Sequence, residues 1–186
     1  SRDGCFRQTT DLPDVPDSTF LGINRDLTLP VLRDLRNLGL GGAVLFASGF
    51  GEIEEGYSYR DALDEAAGDL PYIGPNCYGF INFFDRVALW PDQAVGRVQE
   101  RGVAIISQSG TISITLMGQR RSLPVGYVIS LGNQQRLAAE DLILYCAQDS
   151  RVSAIGLYLE GIKNIPSFVQ AVDEARCLEK PVALVK

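Results

Sequence analysis

The chain has 186 residues, of which 46% are apolar and 22% charged, enough to form one large or two small domains with a buried core. Its net charge of −6 argues against a general affinity for nucleic acid or anionic membranes. No apolar run approaches the ~20 residues of a membrane span, and the first ten residues lack the basic-then-apolar pattern of a signal peptide.

Strand-like and helix-like segments alternate through the first half of the sequence. The apolar, strand-like runs are 19–24, 43–48 and 70–74, and the segments with helical spacing are 27–42 and 59–69. Such alternation predicts a parallel sheet covered by helices. Three strands are few for a doubly wound domain, so we expect its opening βαβ units to precede residue 1. A segment of mixed character, 81–93, follows.

The pattern restarts after the polar segment 96–102. Strands are predicted at 102–108, 125–132, 152–160 and 181–186, with helices at 109–123, 138–149 and 165–178. We therefore predict an α/β protein with two domains, 1–98 and 99–186. The chain starts at Ser1 rather than Met and ends in a strand-like run, from which we expect an internal piece of a longer protein.

The cysteines indicate reduced thiols rather than a metal site. They show no CxxC spacing, and the chain has no histidine, so we expect no zinc and no nucleophile–histidine pair. We predict a cytoplasmic protein on this basis. The four positions are Cys5, Cys77, Cys146 and Cys177.

The clearest candidate site is the turn Gln108-Ser109-Gly110-Thr111, which follows a predicted strand and opens a helix. Ligands of open parallel sheets bind beyond the carboxyl ends of strands. Gly110 permits close backbone approach, and free N–H groups with the helix dipole favour an anion there. The alternative is an ordinary N-cap serine followed by glycine. It is not a Walker loop, because no GxxxxGK[ST] occurs.

Other strand-end loops offer fewer chemical clues. Glu160 ends an apolar strand, so it could orient a catalytic group or simply be a solvated carboxylate. The turn after the strand 125–132 contains Asn133, and a plain turn is the favoured interpretation. Upstream, Asn76 offers donors and acceptors beside Cys77, which we interpret as packing. Trp90 is predicted to pack between the domains.

An ordered set of motifs resembles one enzyme family. VPDSTFLGIN, FASGFGE, GPNCYG, VAIISQSGT, SLGNQ and EKPVALVK occur in that order. Together they resemble the NDP-forming acyl-CoA synthetases, which include the succinyl-CoA synthetase α subunit and ADP-forming acetyl-CoA synthetase. The resemblance runs from about residue 11 to residue 186. Its details are most similar to the fused, feruloyl-CoA synthetase-like branch.

The resemblance implies the C-terminal part of a Rossmann-like CoA-binding domain over 1–98 and a flavodoxin-like, parallel-sheet succinyl-CoA ligase domain over 99–186. The implied reaction joins a carboxylic acid and CoA at the expense of a nucleoside triphosphate, through acyl phosphate and phosphohistidine. ATP or ADP with Mg²⁺ would be bound mainly by an ATP-grasp domain or subunit. Phosphate is a further ligand, and a homo-oligomer is compatible with the family.

The same resemblance assigns roles to individual residues. Glu160 would support the phosphohistidine, whose histidine is expected in a loop shortly after Lys186, so the isolated chain is expected to be inactive. The phosphate-binding residues would be Gln108, Ser109, Gly110 and Thr111, and the CoA-binding residues Ser48, Gly49, Phe50, Asn76 and Cys77, beside Gly74 and Pro75. Two alternatives stay open: a CoA-sensing regulatory module of this fold, and a generic flavodoxin-like domain for another phosphorylated ligand.

Overall fold

A computed structural model describes residues 4–52, 57–94, 96–118 and 123–186, with Tyr57 described by its backbone alone. Within these ranges the helices are α1 (Arg25–Asn37), α2 (Tyr57–Ala67), α3 (Gly110–Met117), α4 (Ala139–Gln148) and α5 (Ile165–Cys177). The strands are β1 (Thr19–Leu21), β2 (Ala43–Leu45), β3 (Tyr72–Ile73), β4 (Gly79–Asn82), β5 (Val87–Leu89), β6 (Gly102–Ser107), β7 (Val125–Ser130), β8 (Val152–Tyr158) and β9 (Val182–Val185). None of the described helices has the length and apolar character needed to cross a bilayer.

The first sheet is parallel and has the order β1-β2-β3. Helix α1 starts earlier than predicted because the Asn24 side chain accepts a hydrogen bond from the Leu27 N–H at 2.9 Å and caps the helix. The helix ends at Asn37, just before Gly39, whose φ of 90° lies in the left-handed region. Leu32 and Leu35 on its inner face are buried.

The second sheet has the order β5-β4-β7-β6-β8-β9, and its last four strands are parallel. Numbered along the chain, these four have the order 2-1-3-4, the arrangement of flavodoxin-like folds. Helix α3 packs on β6 and β7, while α4 and α5 pack together on the opposite face. The predicted α/β class with a flavodoxin-like second sheet is therefore confirmed.

The hairpin β4–β5 pairs with the second sheet, although the sequence placed this segment with the first domain. Ile81 lies opposite Val128 in an antiparallel ladder between β4 and β7. Ile81 and Phe83 form a buried cluster with Val128, against which Trp90 and Met117 pack. Hydrogen bonding to the edge of β7 and packing of this apolar face together stabilise the hairpin on the second sheet. The boundary at residue 98 stays a prediction.

One hydrophobic cluster joins the two sheets. Val44 and Ile73 of the first sheet belong to the same buried cluster as Ile155 of β8, Leu131 just after β7 and Ile143 of α4, which packs on the second sheet. Burial of apolar surface is the main favourable contribution to folding. The relative position of the two sheets is therefore fixed by a shared core.

A charged network fastens the hairpin to the start of β8. The Arg151 guanidinium donates to both oxygens of Asp85, at 2.8 and 2.9 Å, and to both oxygens of Asp149, at 3.0 and 2.9 Å. The Tyr127 hydroxyl donates to Asp149 at 2.8 Å. The guanidinium also lies 4.7 Å from the centre of the Phe84 ring. These contacts hold the amino-terminal edge of the second sheet together.

The Asp149 carboxylate should make stability depend on pH in the acid range. Hydrogen bonds from Arg151 lower the pKa of Asp149 to about 2, below the ordinary value of about 3.9. The stabilisation is present above the ordinary value and is lost as pH falls towards about 2. Between about pH 4 and pH 2, the unfolding free energy of the wild type should fall more steeply than that of Asp149→Asn.

Urea unfolding at several pH values checks this expectation. The exposed Asp69→Asn variant is the control and should follow the wild type. If the unfolding free energies of the wild type and Asp149→Asn fell equally with pH, the pH dependence assigned to Asp149 would be contradicted.

Candidate functional site

The carboxyl ends of strands from both sheets meet at one place. The segment 74–78 leaves the end of β3 and enters β4, which runs antiparallel to β7. Gly79, the first residue of β4, therefore lies opposite Ser130, the last residue of β7. The loops that follow β1, β2 and β3 thus adjoin those that follow β6, β7 and β8. This shared edge is where open parallel sheets bind ligands.

A cleft of about 470 Å³ opens beside the carboxyl ends of β1 and β2. Its lining residues come from three loops, namely Gly22, Ile23, Asn24 and Arg25, then Phe46, Ala47 and Ser48, and finally Asn76, Cys77 and Tyr78. The cleft combines backbone groups, one guanidinium and two aromatic rings. It can therefore hold a ligand that has both polar and apolar parts.

Three of the predicted CoA-binding residues lie in the loop after β2, but not all of them face the cleft. Ser48 is exposed and lines it. Gly49 lies next to it with a φ of 94°, and its carbonyl accepts from the Arg25 guanidinium at 3.2 Å. The Phe50 ring is 1% exposed and packs edge-on against Tyr59 in the core of the first sheet. Phe50 therefore anchors the loop rather than contacting a ligand through its ring.

The two predicted residues after β3 differ in accessibility. Asn76 is exposed, with a φ of 59°, and lines the cleft. Cys77 is 2% exposed, and its Sγ lies 3.4 Å from the Leu45 carbonyl. Burial raises the pKa of the Cys77 thiol to about 12, so it stays protonated at neutral pH. This agrees with the interpretation of Cys77 as packing and not as a nucleophile.

The turn before α3, residues 108–111, is the place where the sequence predicts an anion cradle, and we call this turn the 108–111 cradle. Buried Ser107 organises it: its hydroxyl donates to the Ser109 carbonyl at 2.7 Å and accepts from the Ser109 N–H at 3.1 Å. The Ser109 hydroxyl accepts from the Ile112 N–H at 3.4 Å and caps the helix. The first turn of a helix has N–H groups without intrahelical partners, which favour an anion.

The extent of α3 differs from the prediction. The helix ends at Met117, with Gly118 as its C-cap, rather than at residue 123. Residues 119–122, which the prediction included, lie outside the described part of the chain. Thr111 is exposed on the first turn of this helix.

Gln108 connects the cradle to Glu160. Its side-chain carbonyl accepts from the backbone N–H groups of Glu160 and Gly161, at 2.8 and 3.1 Å. Strand β6 lies between β7 and β8, at the topological switch point where flavodoxin-like folds bind ligands. The structure therefore brings together two residues that the sequence nominated separately, and Glu160 is exposed.

The Tyr78 ring lies between the cradle and the cleft. A Cβ atom added at Gly110 would be 2.7 Å from Tyr78 Cε2, so the ring rests directly on this glycine. The same ring lines the cleft and packs on Phe46 and Trp90, with centroids 5.8 and 5.4 Å away. Sequence reasoning did not nominate Tyr78, because its partners are distant in the chain.

The loop after β1 was also missed. Gly22, Asn24 and Arg25 all line the cleft. The rule that identified the other loops, a change from strand to helix pattern, applies equally to GINR at 22–25. Asn24, which caps α1, was the available signal.

Comparison with known proteins gives matches to one group of ligases. Residues 100–186 match the family described as succinyl-CoA ligase like flavodoxin domain. The chain is 30% identical over 190 residues to a trans-feruloyl-CoA synthase from an unknown prokaryotic organism, covering 97% of this chain and 27% of that protein. It is 29% identical over 164 residues to an ADP-forming acetate–CoA ligase of Methanocaldococcus jannaschii, covering 86% of this chain and 23% of that protein.

A solved structure is similar over nearly the whole chain. It is the dinucleotide forming acetyl-coenzyme A synthetase 1 of Ca. Korarchaeum cryptofilum in complex with phosphate and ADP. The TM-score is 0.87 at 28% sequence identity, covering 98% of this chain and 40% of that chain. The present chain thus spans about a quarter of the length of the curated relatives just described.

Proposed function

Because residues 100–186 match the succinyl-CoA ligase like flavodoxin domain, we propose that this chain supplies the CoA cleft and the phosphate cradle of an NDP-forming acid–CoA ligase. The resemblance to NDP-forming acyl-CoA synthetases noted in the sequence is confirmed by the ligases that match it. The single observation that supports the proposal is the junction of the two sheets, where the cleft and the turn 108–111 lie on either side of Tyr78.

The cleft is the proposed site for CoA. Arg25 offers a positive charge, while Ser48 and Asn76 offer exposed hydrogen-bonding groups at its wall. The aromatic rings of Phe46 and Tyr78 give an apolar surface for the uncharged part of such a ligand. Buried Cys77 stays protonated and does not compete as a nucleophile with the thiol of a bound CoA.

The 108–111 cradle is the proposed site of the transferred phosphoryl group. The N–H groups of the first turn of α3 and the Ser109 and Thr111 hydroxyls are donors suited to phosphate oxygens. A bound nucleoside triphosphate would supply that group, held with Mg²⁺ mainly by an ATP-grasp domain or subunit. We place carboxylic acid, phosphate and CoA as the other ligands of the complete enzyme.

Glu160 is proposed to orient the group that carries the phosphoryl. Gln108 fixes the Glu160 backbone beside the cradle, which leaves the carboxylate exposed there. The reaction would pass through acyl phosphate and phosphohistidine. Since this sequence has no histidine, that side chain would come from residues outside it.

The test uses the full-length protein encoded by the gene. Incubation with Mg-ATP, CoA and a panel of carboxylic acids should form acyl-CoA and ADP in equal amounts. γ-Labelled ATP alone should give an acid-labile, alkali-stable protein phosphate, and Glu160→Gln should reduce this labelling.

The result also separates the ligase from a regulatory module. CoA binding without thioester formation and without labelling would reject the ligase and support a CoA sensor. Binding of flavin mononucleotide with no response to CoA or phosphate would reject both.

A further inference from the structure

The Glu52 carboxylate bridges loops of the two sheets. Its Oε2 accepts from the Gly49 N–H at 2.9 Å, within the loop after β2. Its Oε1 accepts from the Asn133 side-chain amide at 2.7 Å, in the loop after β7. Glu52 and Asn133 are 81 residues apart in sequence. One carboxylate therefore ties a wall of the cleft to the second sheet.

Asn133 extends this bridge to the other wall. Its side-chain oxygen accepts from the Asn76 amide at 3.4 Å, and its backbone N–H donates to the Pro75 carbonyl at 2.8 Å. The Asn76 N–H donates back to the Ala47 carbonyl at 2.9 Å. The contacts thus form a closed ring that runs from the loop after β2 through Glu52, Asn133 and Asn76 and back to that loop.

The loop after β2 needs such a restraint. Gly49 and Gly51 have φ values of 94° and 113° and are free of side chains that would limit their backbones. Phe50 anchors the loop between them, but its burial fixes only one point. These contacts are exposed hydrogen bonds, each of which adds little net stability to the whole protein, so this ring of contacts acts on local geometry.

We propose that Glu52 and Asn133 are positioning residues that hold Ser48 and Asn76 in the geometry that binds CoA. The proposal rests on the proposed function of the cleft. Neither residue lines the cleft itself. By restraining the loop before the ligand arrives, they reduce the conformational entropy lost on binding.

Steady-state kinetics of the full-length enzyme test the proposal. With acid and ATP saturating, Glu52→Ala should raise the KM for CoA about ten-fold and leave kcat within about two-fold, because only ligand affinity depends on the ring. Glu52→Gln should raise KM less, since its carbonyl can still accept one of the two hydrogen bonds. The matched control, Glu174→Ala on the exposed face of α5, should behave as the wild type.

A double-mutant cycle tests whether the two residues act as one unit. Asn133→Ala should also raise the KM for CoA. The Glu52→Ala/Asn133→Ala protein should be little worse than Asn133→Ala alone, because each substitution removes the hydrogen bond between Glu52 and Asn133. The proposal would be overturned if the KM for CoA of the double variant rose by the product of the two single increases. An unchanged KM in Glu52→Ala would also overturn it. If Glu52→Ala melts below the assay temperature, an unchanged KM in the isosteric Glu52→Gln overturns it equally.

Failure of the proposed function is distinguishable from failure of this proposal. If the wild-type protein forms no acyl-CoA, the proposed ligase function is rejected. The role of Glu52 is then decided by calorimetry, which compares the dissociation constant of CoA between the wild type and Glu52→Ala. About ten-fold weaker binding by Glu52→Ala supports it, and equal binding overturns it. A wild type that does not bind CoA overturns both.

Discussion

Gly132→Ala is expected to destabilise the protein by about 2–4 kcal/mol. Gly132 has a φ of 58°, where a side chain is strained. A Cβ atom there would lie 2.6 Å from the Asn76 carbonyl oxygen and closer still to the Pro75 carbonyl. Both obstacles are backbone atoms and cannot move aside by rotation. The loop after β7 must therefore separate from the segment 74–76.

That separation would break further contacts. The Asn133 N–H donates to Pro75 and the Gln135 N–H to Gly74, at 2.8 and 3.0 Å. Denaturant unfolding, followed by circular dichroism, measures the loss. Gly161→Ala is a sharp control: this glycine lies in the next strand-end loop, its φ is not positive, and nothing lies within 4 Å of an added Cβ. Equal stability of the two variants would contradict the expectation.

Gly110→Ala should displace the Tyr78 ring and damage both the cleft and the cradle. The added Cβ would meet the ring at 2.7 Å or less, an overlap that typically costs about 1–3 kcal/mol. The ring must move towards the cleft that it lines. We expect lower stability and about ten-fold or more weaker CoA binding in the full-length protein, if the cleft has its proposed function.

Trp90 offers a direct optical measurement of this change. It is the only tryptophan of the chain, and its ring centroid lies 5.4 Å from that of Tyr78. Its fluorescence spectrum should shift in Gly110→Ala and stay unchanged in Gly118→Ala, where an added Cβ meets nothing closer than 3.5 Å. Replacing Tyr78 by leucine in the Gly110→Ala protein should restore part of the lost stability. An unchanged spectrum in Gly110→Ala would contradict the displacement.

Local sequence features predicted most of the regular elements. The apolar runs at β6, β7 and β8 and the capped helices α1 and α5 follow from patterns within a few residues. The start of α3 was also predictable, because a strand, a serine and a glycine in succession specify a helix start. The secondary structure of segment 81–93 could not be predicted, since its hairpin is stabilised by pairing with β7, whose paired residues lie 45 to 51 positions away in sequence.

The sequence by itself determined the α/β class, the parallel strands and the capped turn at the start of α3, because periodicity, capping and glycine placement act over short distances. Only the tertiary structure decided that Tyr78 rests on Gly110, that Gln108 holds Glu160 beside the cradle, and that Glu52 joins Asn133 across the cleft wall. These contacts link residues 32 to 81 positions apart in the sequence. The contact of Gln108 with Glu160 depends on the parallel pairing of β6 with β8. The other two depend on the antiparallel entry of β4, which turns the carboxyl edges of the two sheets towards each other and which no local pattern encodes.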